Sequence, residues 1–189
     1  MIGSGVDGVL CNYGVAKHYR DVFTNRIPVV LRLDGGESVH RSDWLAYDEW
    51  RQLFTVEDAV SIGADAVFTM TFVGGPSELD TLEVTSPSAA EAGLPLMVEA
   101  LPCKGERVPD PMDPDVMASA ARLAFEHGAD LIKNYYTGRR EGYRKSVEAT
   151  PIPTLPRCTR TPTSGSGVFT TCSLRSTTTS CPVADPRGR

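Results

Sequence analysis

Six short apolar runs recur along the chain, and each is about five to eight residues long, as buried strands are. Within a run the apolar residues are nearly continuous rather than alternating, which is typical of parallel strands covered on both faces. Three runs follow a glycine, a small residue and an aspartate, whereas the other three open at a proline. The two kinds alternate strictly: GVDGVLCNY from Gly5, IPVVLRLD from Ile27, GADAVFTMTFVG from Gly63, LPLMVEALP from Leu94, GADLIKNYYTG from Gly128 and IPTLPR from Ile152.

Helical periodicity separates several of these runs. The strongest helix is predicted for DPDVMASAARLAFEHG, where Asp113 can cap the first turn, Pro114 suits the first helical position and Gly128 ends the helix. TVEDAVSIG and GYRKSVEAT predict shorter helices, and SELDTLEVTSPSAAEAG predicts a helix that breaks or kinks at Pro87. The residues expected to face inward are Val56, Ala59 and Val60, then Val116, Ala120, Leu123 and Ala124, and finally Tyr143 and Val147.

The repeated order of strand, connection and strand predicts a parallel α/β domain. Six strands fit either a doubly wound sheet or most of a TIM (β/α)8 barrel. Because the runs differ little in character and no GxGxxG motif opens a helix, we favour the barrel. A complete barrel needs about 200 residues or more. We therefore predict an incomplete TIM-type barrel formed by residues 1–155.

Composition changes abruptly after Leu155. The whole chain carries a net charge of −5, but the residues up to Leu155 carry −9 and the last 34 residues carry +4. Those last 34 residues include 13 Ser or Thr and show neither helical nor strand periodicity. They bury too little apolar area to offset their ordering entropy. We predict that residues 156–189 form a disordered tail or a segment translated out of frame.

Composition also argues against several classes of function. An acidic net charge gives no general affinity for nucleic acid, and no run of about 18 apolar residues is present to span a membrane. No basic segment precedes the first apolar run, so we expect no signal peptide and a cytoplasmic location. The five cysteines lack CxxC spacing and the three histidines are isolated, so we expect no metal site.

Charged residues inside the apolar runs are the candidates for chemistry, because barrel active sites lie at the carboxyl ends of the strands. Lys133 interrupts GADLIKNYYTG, and a buried ammonium is costly unless it is paired. Burial favours the neutral amine, which attacks carbonyl groups and forms an imine. Tyr135 lies two residues on and shares the face of Lys133, where it could orient the amine or move protons.

Each candidate also has a structural interpretation. Lys133 could pair with Glu99 on a neighbouring strand, while Glu99 could equally act as a general acid or base. Arg32 could bind a phosphate or carboxylate, or form a structural ion pair. Asp34 lies beside two glycines, where a turn is the simpler interpretation. With Asn12, which ends the first run, Arg32 and Asp34 form the candidate substrate-binding set.

Five segments in order resemble one enzyme family. VDGVLCNYGVAKHY, VVLRLDGG, VEDAVSIGADAVFTMTFVG, LPLMVEALPCKGE and GADLIKNYYTG resemble the second to sixth strands of the archaeal-type class I fructose-bisphosphate aldolases. That family also includes the thiolase that processes the phosphorylated autoinducer-2 signal. The resemblance covers about residues 2–155. It implies barrel strands two to seven, an imine-forming lysine at Lys133, no metal or other cofactor, a homo-oligomer, and a phosphorylated sugar or related ketone as substrate.

The sequence also departs from the family pattern. The aldolases use an aspartate that ends the first strand, and this chain begins at the second. They use a fifth-strand tyrosine as acid–base catalyst, whereas here Leu101 is nearest that position and Glu99, two residues earlier, could substitute. PTLPRCTRTPTSGSG stands where a glycine-rich phosphate-binding turn would follow. We therefore predict a class I aldolase-like lyase, with a non-catalytic barrel remnant that lacks the phosphate site as the alternative.

Overall fold

The computed structural model describes residues 7–36, 50–76 and 78–157. Its strands are β1 (Val9–Asn12), β2 (Val29–Arg32), β3 (Asp34–Gly35), β4 (Arg51–Gln52), β5 (Ala66–Val73), β6 (Leu96–Pro102), β7 (Leu131–Tyr135) and β8 (Thr154–Arg157). Its helices are α1 (Tyr13–His18), α2 (Arg20–Phe23), α3 (Val56–Ile62), α4 (Asp80–Ala92), α5 (Pro114–Glu126) and α6 (Arg140–Glu148). Each of the six predicted apolar runs contains a strand.

Six parallel strands form the main sheet in the order β1-β2-β5-β6-β7-β8. The short β3 and β4 form a separate antiparallel pair after β2. Every strand of the main sheet after β1 therefore pairs with the main-sheet strand that precedes it in the chain. A doubly wound sheet would reverse its strand order part of the way along. The prediction of an incomplete TIM-type barrel is thus confirmed, and the doubly wound alternative is excluded.

Apolar side chains fill both faces of the main sheet. On the outer face the strands pack against the helices, through Leu31, Val67, Val98 and Ile132 from the strands and Ala59, Leu82, Ala120 and Ala124 from the helices. The opposite face, here called the inner face, is lined by Val30, Phe68, Met70, Phe72, Met97, Leu101 and Cys103. Because side chains alternate between faces, residues two apart on a strand share a face.

Two of the three aspartates of the repeated Gly-small-Asp signature, Asp65 and Asp130, join neighbouring strands. The backbone N–H of Val29 donates to Asp65 Oδ2 over 2.8 Å, and the backbone N–H of Asp65 donates to the Val29 carbonyl over 2.9 Å. Asp130 and Leu96 repeat the arrangement at 2.8 and 2.9 Å. Each aspartate thus fixes the start of its strand beside the start of the preceding strand, which gives the sequence repeat a physical reason.

The predicted helix ends at Gly63, Asp113 and Pro114 are confirmed, and α3 also has a cap at Thr55 that was not predicted. Thr55 and Asp58 form a capping box at the start of α3, and Gly63 ends that helix with a φ of 72°, a value that favours glycine. Asp113 accepts hydrogen bonds from the backbone N–H groups of Asp115 and Val116, and Pro114 is the first residue of α5. Gly63, Asp113 and Pro114 act within a few residues of the helix ends and need no tertiary contact, which explains why they were predicted from the sequence.

Three helical predictions are wrong. Helix α4 is not interrupted at Pro87, because this residue is exposed and the buried Leu82 and Ala89 anchor the helix on either side of it. Val60 and Val147 are exposed rather than inward-facing. In α6 the inward positions are taken by Tyr143 and Ser146. The apolar stripes of these short helices are therefore narrower than the sequence pattern indicates.

The last described strand, β8, extends beyond the predicted boundary of the barrel. Strand β8 reaches Arg157, two residues past the predicted boundary at Leu155, and residues 158–189 of the predicted tail lie outside the described residues. Within the described ranges, no helix has both the length and the apolar character needed to cross a membrane.

Candidate active site

Glu99 and Lys133 lie side by side on the inner face. They are register partners on the parallel strands β6 and β7. Lys133 Nζ donates to Glu99 Oε2 over 2.8 Å. Glu99 is only 3% exposed, whereas the Lys133 side chain is 22% exposed. The ion pair that the sequence left open is present, and the Lys133 side chain is partly exposed.

Arg157 binds the second oxygen of the same carboxylate. Its Nη1 donates to Glu99 Oε1 over 2.7 Å, and its side chain is 30% exposed. One buried carboxylate is therefore shared by two cations from two different strands. Arg157 lies in the predicted tail, residues 156–189, and is not among the predicted site residues. The available signal was its spacing of two from Leu155 in IPTLPR, which puts both residues on one face of a strand.

Tyr135 lies on the same inner face as Lys133 and is the register partner of Arg157. The Arg157 guanidinium carbon lies 5.3 Å from the centre of the Tyr135 ring, within the range of a cation–π contact. Burial raises the pKa of the Tyr135 phenol, the charge of Arg157 opposes that shift, and Glu99 adds to it. The phenol is therefore a proton donor, rather than a base, at neutral pH.

Lys133 and Arg32 both lie near the ring of Phe68. Lys133 Nζ lies 5.4 Å from the Phe68 ring centre, and the Arg32 guanidinium carbon lies 5.6 Å from the same centre. Arg32 also lies 4.9 Å from the Trp50 ring centre. The amine thus has both an apolar ring from β5 and a carboxylate from β6 as neighbours.

Arg32 and Asp34 form a second ion pair at the carboxyl end of β2. Arg32 Nε donates to Asp34 Oδ1 over 3.0 Å. Asp34 Oδ2 accepts from the Thr69 hydroxyl over 2.8 Å and from the backbone N–H of Met70. Asp34 is buried and belongs to β3. The interpretation of Asp34 as a turn residue is therefore wrong, since its carboxylate is held by partners that are 35 and 36 residues away in sequence.

Asn12 lies further from this group. It ends β1, is exposed, and is the register partner of Arg32. Sheet order places it four strands from β7, so the sheet brings it beside Arg32 and not beside Lys133. Within residues 7–36, 50–76 and 78–157, no group of three or more His, Cys, Asp or Glu side chains is arranged to hold a metal ion.

Fold and sequence together define the class of protein. The partial (β/α)8 barrel carries its ionisable inner-face residues on β6, β7 and β8. A sequence profile of the DeoC/LacD family aldolases matches residues 1–171. This chain belongs to that family.

Individual relatives confirm the resemblance to archaeal class I aldolases. The class 1 fructose-bisphosphate aldolase of Thermoproteus tenax is 32% identical over 156 residues, covering 80% of this chain and 56% of the relative. The 2-amino-3,7-dideoxy-D-threo-hept-6-ulosonate synthase of Halobacterium salinarum is 36% identical over 162 residues, covering 82% of this chain and 57% of the relative. The chain spans a little more than half the length of these relatives.

A solved structure is also similar to this chain and belongs to an archaeal aldolase. It is of an archaeal fructose-1,6-bisphosphate aldolase with its catalytic lysine covalently bound to the carbinolamine intermediate of the substrate. The match has a TM-score of 0.66 and 31% identity, and it covers 79% of this chain and 58% of that chain. The fold assignment from strand order therefore agrees with an independent structural comparison.

Proposed function

We propose that this chain is a class I, Schiff-base aldolase-like lyase that makes or breaks a carbon–carbon bond in a phosphorylated sugar or related ketone. The observation that carries the proposal is the position of Lys133 on the inner face, 2.8 Å from a buried carboxylate and partly open to solvent. Membership of the aldolase family supports it. So does the related archaeal structure in which a catalytic lysine is bound to a carbinolamine.

Imine formation requires a neutral amine, and Glu99 is placed to take the proton. In the proposed first step, Glu99 accepts a proton from the Lys133 ammonium, and the freed lone pair on Nζ attacks the ketone carbon. Proton transfer within the adduct gives a carbinolamine. The protonated Glu99 then returns its proton to the carbinolamine hydroxyl, water leaves, and a protonated imine on Lys133 remains.

The protonated imine then acts as an electron sink. A base removes the proton from the hydroxyl on the carbon β to the imine carbon, and the bond between the α and β carbons breaks. The bonding electron pair moves into the imine, which becomes a neutral enamine, while the β carbon leaves as an aldehyde. We assign the base to Glu99 and the return of a proton to the enamine carbon to Tyr135, whose phenol is protonated at neutral pH. Water then hydrolyses the imine and releases the product, with Lys133 restored as its ammonium. The proton held by Glu99 passes to the Tyr135 phenolate, so both groups return to their starting states.

Substrate binding is assigned to Arg32, Asp34 and Asn12. Arg32 supplies a cation for an anionic group, and Asp34 fixes the orientation of that guanidinium through the bond from Nε at 3.0 Å. Asn12 adds an exposed amide at the end of the neighbouring strand. We also propose that the chain assembles as a homo-oligomer. Its cytoplasmic location stays a prediction from the sequence.

The alternative is a non-catalytic barrel remnant. It is favoured by the ion pair itself, because an ammonium held by a buried carboxylate is not a nucleophile. Leu101, an apolar side chain, stands in β6 nearest the position of the aldolase tyrosine. Both interpretations accept the same fold, so they differ only in whether Lys133 reacts.

Reductive trapping separates the two. The purified chain is treated with borohydride and each of a panel of sugar phosphates and small ketones, and the adduct is located by peptide mass. We expect an adduct on the peptide that contains Lys133, and its loss in Lys133→Ala. Lys145→Ala is the matched control, because Lys145 pairs with Asp115 on the surface, and it should retain the adduct. A cooperatively unfolding chain that traps no member of the panel would support the remnant instead.

A further inference from the structure

The guanidinium of Arg32 is held by protein contacts but keeps unused hydrogen-bond donors. Its Nε donates to Asp34 Oδ1 over 3.0 Å, and its Nη2 donates to Met70 Sδ over 2.8 Å. The rings of Trp50 and Phe68 lie 4.9 and 5.6 Å from the guanidinium carbon. No described residue accepts a hydrogen bond from Nη1, and the Arg32 side chain is 23% exposed. A planar guanidinium fixed in this way offers its remaining N–H groups to a ligand in one direction.

The two buried carboxylates beside Arg32 and Lys133 have no oxygen without a partner. Glu99 Oε2 accepts from Lys133, and Glu99 Oε1 accepts from Arg157. Asp34 Oδ1 accepts from Arg32, and Asp34 Oδ2 has two donors from β5. The groups left for a ligand are therefore mainly donors. Donors suit the oxygens of an anion, whereas each hydroxyl of a sugar also needs an acceptor for its proton.

The charges on the strands favour a ligand with a single negative charge. The six strands of the main sheet carry four charged side chains, which are Arg32, Glu99, Lys133 and Arg157. Together with Asp34, which pairs with Arg32, they sum to one positive charge. Most other side chains of the inner face are apolar. One carboxylate balances this charge, whereas the second charge of a phosphate monoester would have no cation on these strands.

Arg32 and Lys133 lie close enough together to bind one small molecule. Lys133 Nζ is 5.4 Å and the Arg32 guanidinium carbon is 5.6 Å from the centre of the Phe68 ring. The nitrogen and the carbon are therefore separated by no more than the sum of these distances, about 11 Å. With carbon–carbon bonds of about 1.5 Å, a keto acid of about three to five carbon atoms spans from the amine to the guanidinium within this limit.

We propose that the ketone that forms the imine on Lys133 is a short keto acid, and that the free donors of Arg32 bind its carboxylate. The inference rests on the proposed imine chemistry. It narrows the substrate class from a phosphorylated sugar or related ketone to a ketone with one carboxylate. In this arrangement Asp34 and Trp50 hold the guanidinium in place while Lys133 binds the ketone carbon.

The test compares ketones with and without the negative charge. Pyruvate and levulinate are each paired with their methyl esters, which keep the ketone and lose the charge, and dihydroxyacetone phosphate represents the sugar phosphates. Each compound is trapped with cyanoborohydride, and the adduct on the peptide that contains Lys133 is quantified by mass. We expect at least one acid to be trapped about tenfold faster than its ester, and also faster than dihydroxyacetone phosphate.

Substitutions then show whether Arg32 recognises the carboxylate. Arg32→Gln should lower the ratio of the acid and ester rates about tenfold, whereas damage to the fold would slow both reactions alike. Because Arg32→Gln leaves the buried Asp34 without its cation, the second variant combines it with Asp34→Asn, and the same loss is expected. Arg122→Gln, which removes a surface arginine paired with Glu126 on α5, is the matched control and should keep the ratio of the unaltered chain.

A measurement on the unaltered chain needs no substitution. Phenylglyoxal labels arginine side chains, so the preferred acid should slow the labelling of the peptide that contains Arg32, and its methyl ester should not. If circular dichroism shows that neither Arg32 variant folds, this measurement decides the role of Arg32. Equal labelling with the acid and with the ester would contradict that role.

The outcomes separate this inference from the proposed function. If the unaltered chain forms no adduct on Lys133 with any of the ketones, the imine chemistry itself fails. If each acid and its ester are trapped equally well, or if dihydroxyacetone phosphate is trapped fastest, the imine chemistry stands and the keto acid is wrong. A preference for the acid that persists in folded variants without Arg32 would overturn the assignment of the carboxylate to this arginine.

Discussion

Glu99 and Lys133 are separated by 34 residues in sequence, yet they are register partners on neighbouring strands and lie 2.8 Å apart at Oε2 and Nζ. The segment between them includes α5, which returns the chain so that β7 runs parallel to β6. Their contact is therefore a product of one strand–helix–strand unit. Any change that shifts the register of β7 by one residue would turn Lys133 to the outer face.

Removing the shared carboxylate is expected to destabilise the fold. Glu99→Ala leaves Lys133 and Arg157 facing each other without a counter-charge. We expect a loss of about 2 kcal/mol in the free energy of unfolding, less than for a fully buried pair because both cations keep some contact with water. Urea unfolding measures it. Glu148→Ala, which breaks the exposed Arg144–Glu148 pair, is the control and should cost less than about 0.5 kcal/mol. If Glu99→Ala and Glu148→Ala lose the same free energy of unfolding, the buried Glu99 ion pairs stabilise the fold no more than an exposed pair does.

The capping box of α3 should be measurable by substitution. Thr55→Ala removes the side chain that accepts from the backbone N–H of Asp58. We expect it to lower the free energy of unfolding by about 1 kcal/mol. Thr55→Ser restores an oxygen at the same position and should recover most of that loss. If Thr55→Ser is no more stable than Thr55→Ala, the side-chain oxygen at this position does not stabilise α3.

Pro87 is the position in α4 where a substitution should stabilise the chain. Proline lacks the N–H that would bond to the carbonyl four residues earlier in the helix, and its ring crowds that carbonyl. Because the helix continues through Pro87, we expect Pro87→Ala to raise the free energy of unfolding by about 1 kcal/mol or more. Ser88→Ala, at the neighbouring and partly buried position, should change the free energy of unfolding by less than about 0.5 kcal/mol. A lower midpoint in thermal unfolding for Pro87→Ala would mean that the packing of α4 depends on the proline.

Stability at alkaline pH should depend on Cys103. Burial, with a further contribution from the charge of Glu78, raises the pKa of the Cys103 thiol from 9.0 to about 12. The unfolded thiol ionises first, so the stability that the neutral thiol contributes is complete below about pH 9 and is lost as the pH rises towards 12. Urea unfolding across this range should show a shallower decline in Cys103→Ala than in the unaltered chain. Identical slopes would rule out this thiol as the source.

The raised pKa of the Cys103 thiol also predicts that this cysteine reacts slowly with alkylating reagents. Because the thiolate is the reactive species, Cys103 in the folded chain should resist iodoacetamide at pH 8 and react readily once the chain is unfolded in urea. Peptide mass analysis reports the labelled position. Rapid labelling of Cys103 in the folded chain would contradict the burial of its sulfur on the inner face.

Local patterns located most of the secondary structure. The six apolar runs each became a strand, and the predicted helix ends at Asp113 and Gly63 depend on residues close to those ends. The pairing of Lys133 with Glu99 was predicted as one of two alternatives, because polar residues near the carboxyl ends of parallel strands lie at the same edge of the sheet. The β3–β4 pair was not foreseen, since each of its strands is only two residues long.

Other features depended on contacts between distant segments. The burial of Asp34 requires Thr69 and Met70 from β5, and the contact of Arg157 with Glu99 requires β8 to continue past Leu155. Val60 and Val147 are exposed because of the angle at which each helix is rotated about its own axis as it packs on the sheet. An amphipathic pattern specifies that angle only loosely.

The sequence by itself determined the class of fold, the order of its strands and the lysine on which the chemistry is proposed, because periodicity, caps and turns act over a few residues. Tertiary structure alone decided which charges share one carboxylate. Three strands must meet in register before Lys133, Glu99 and Arg157 come within hydrogen-bonding distance, and no local pattern encodes a contact between side chains 58 residues apart.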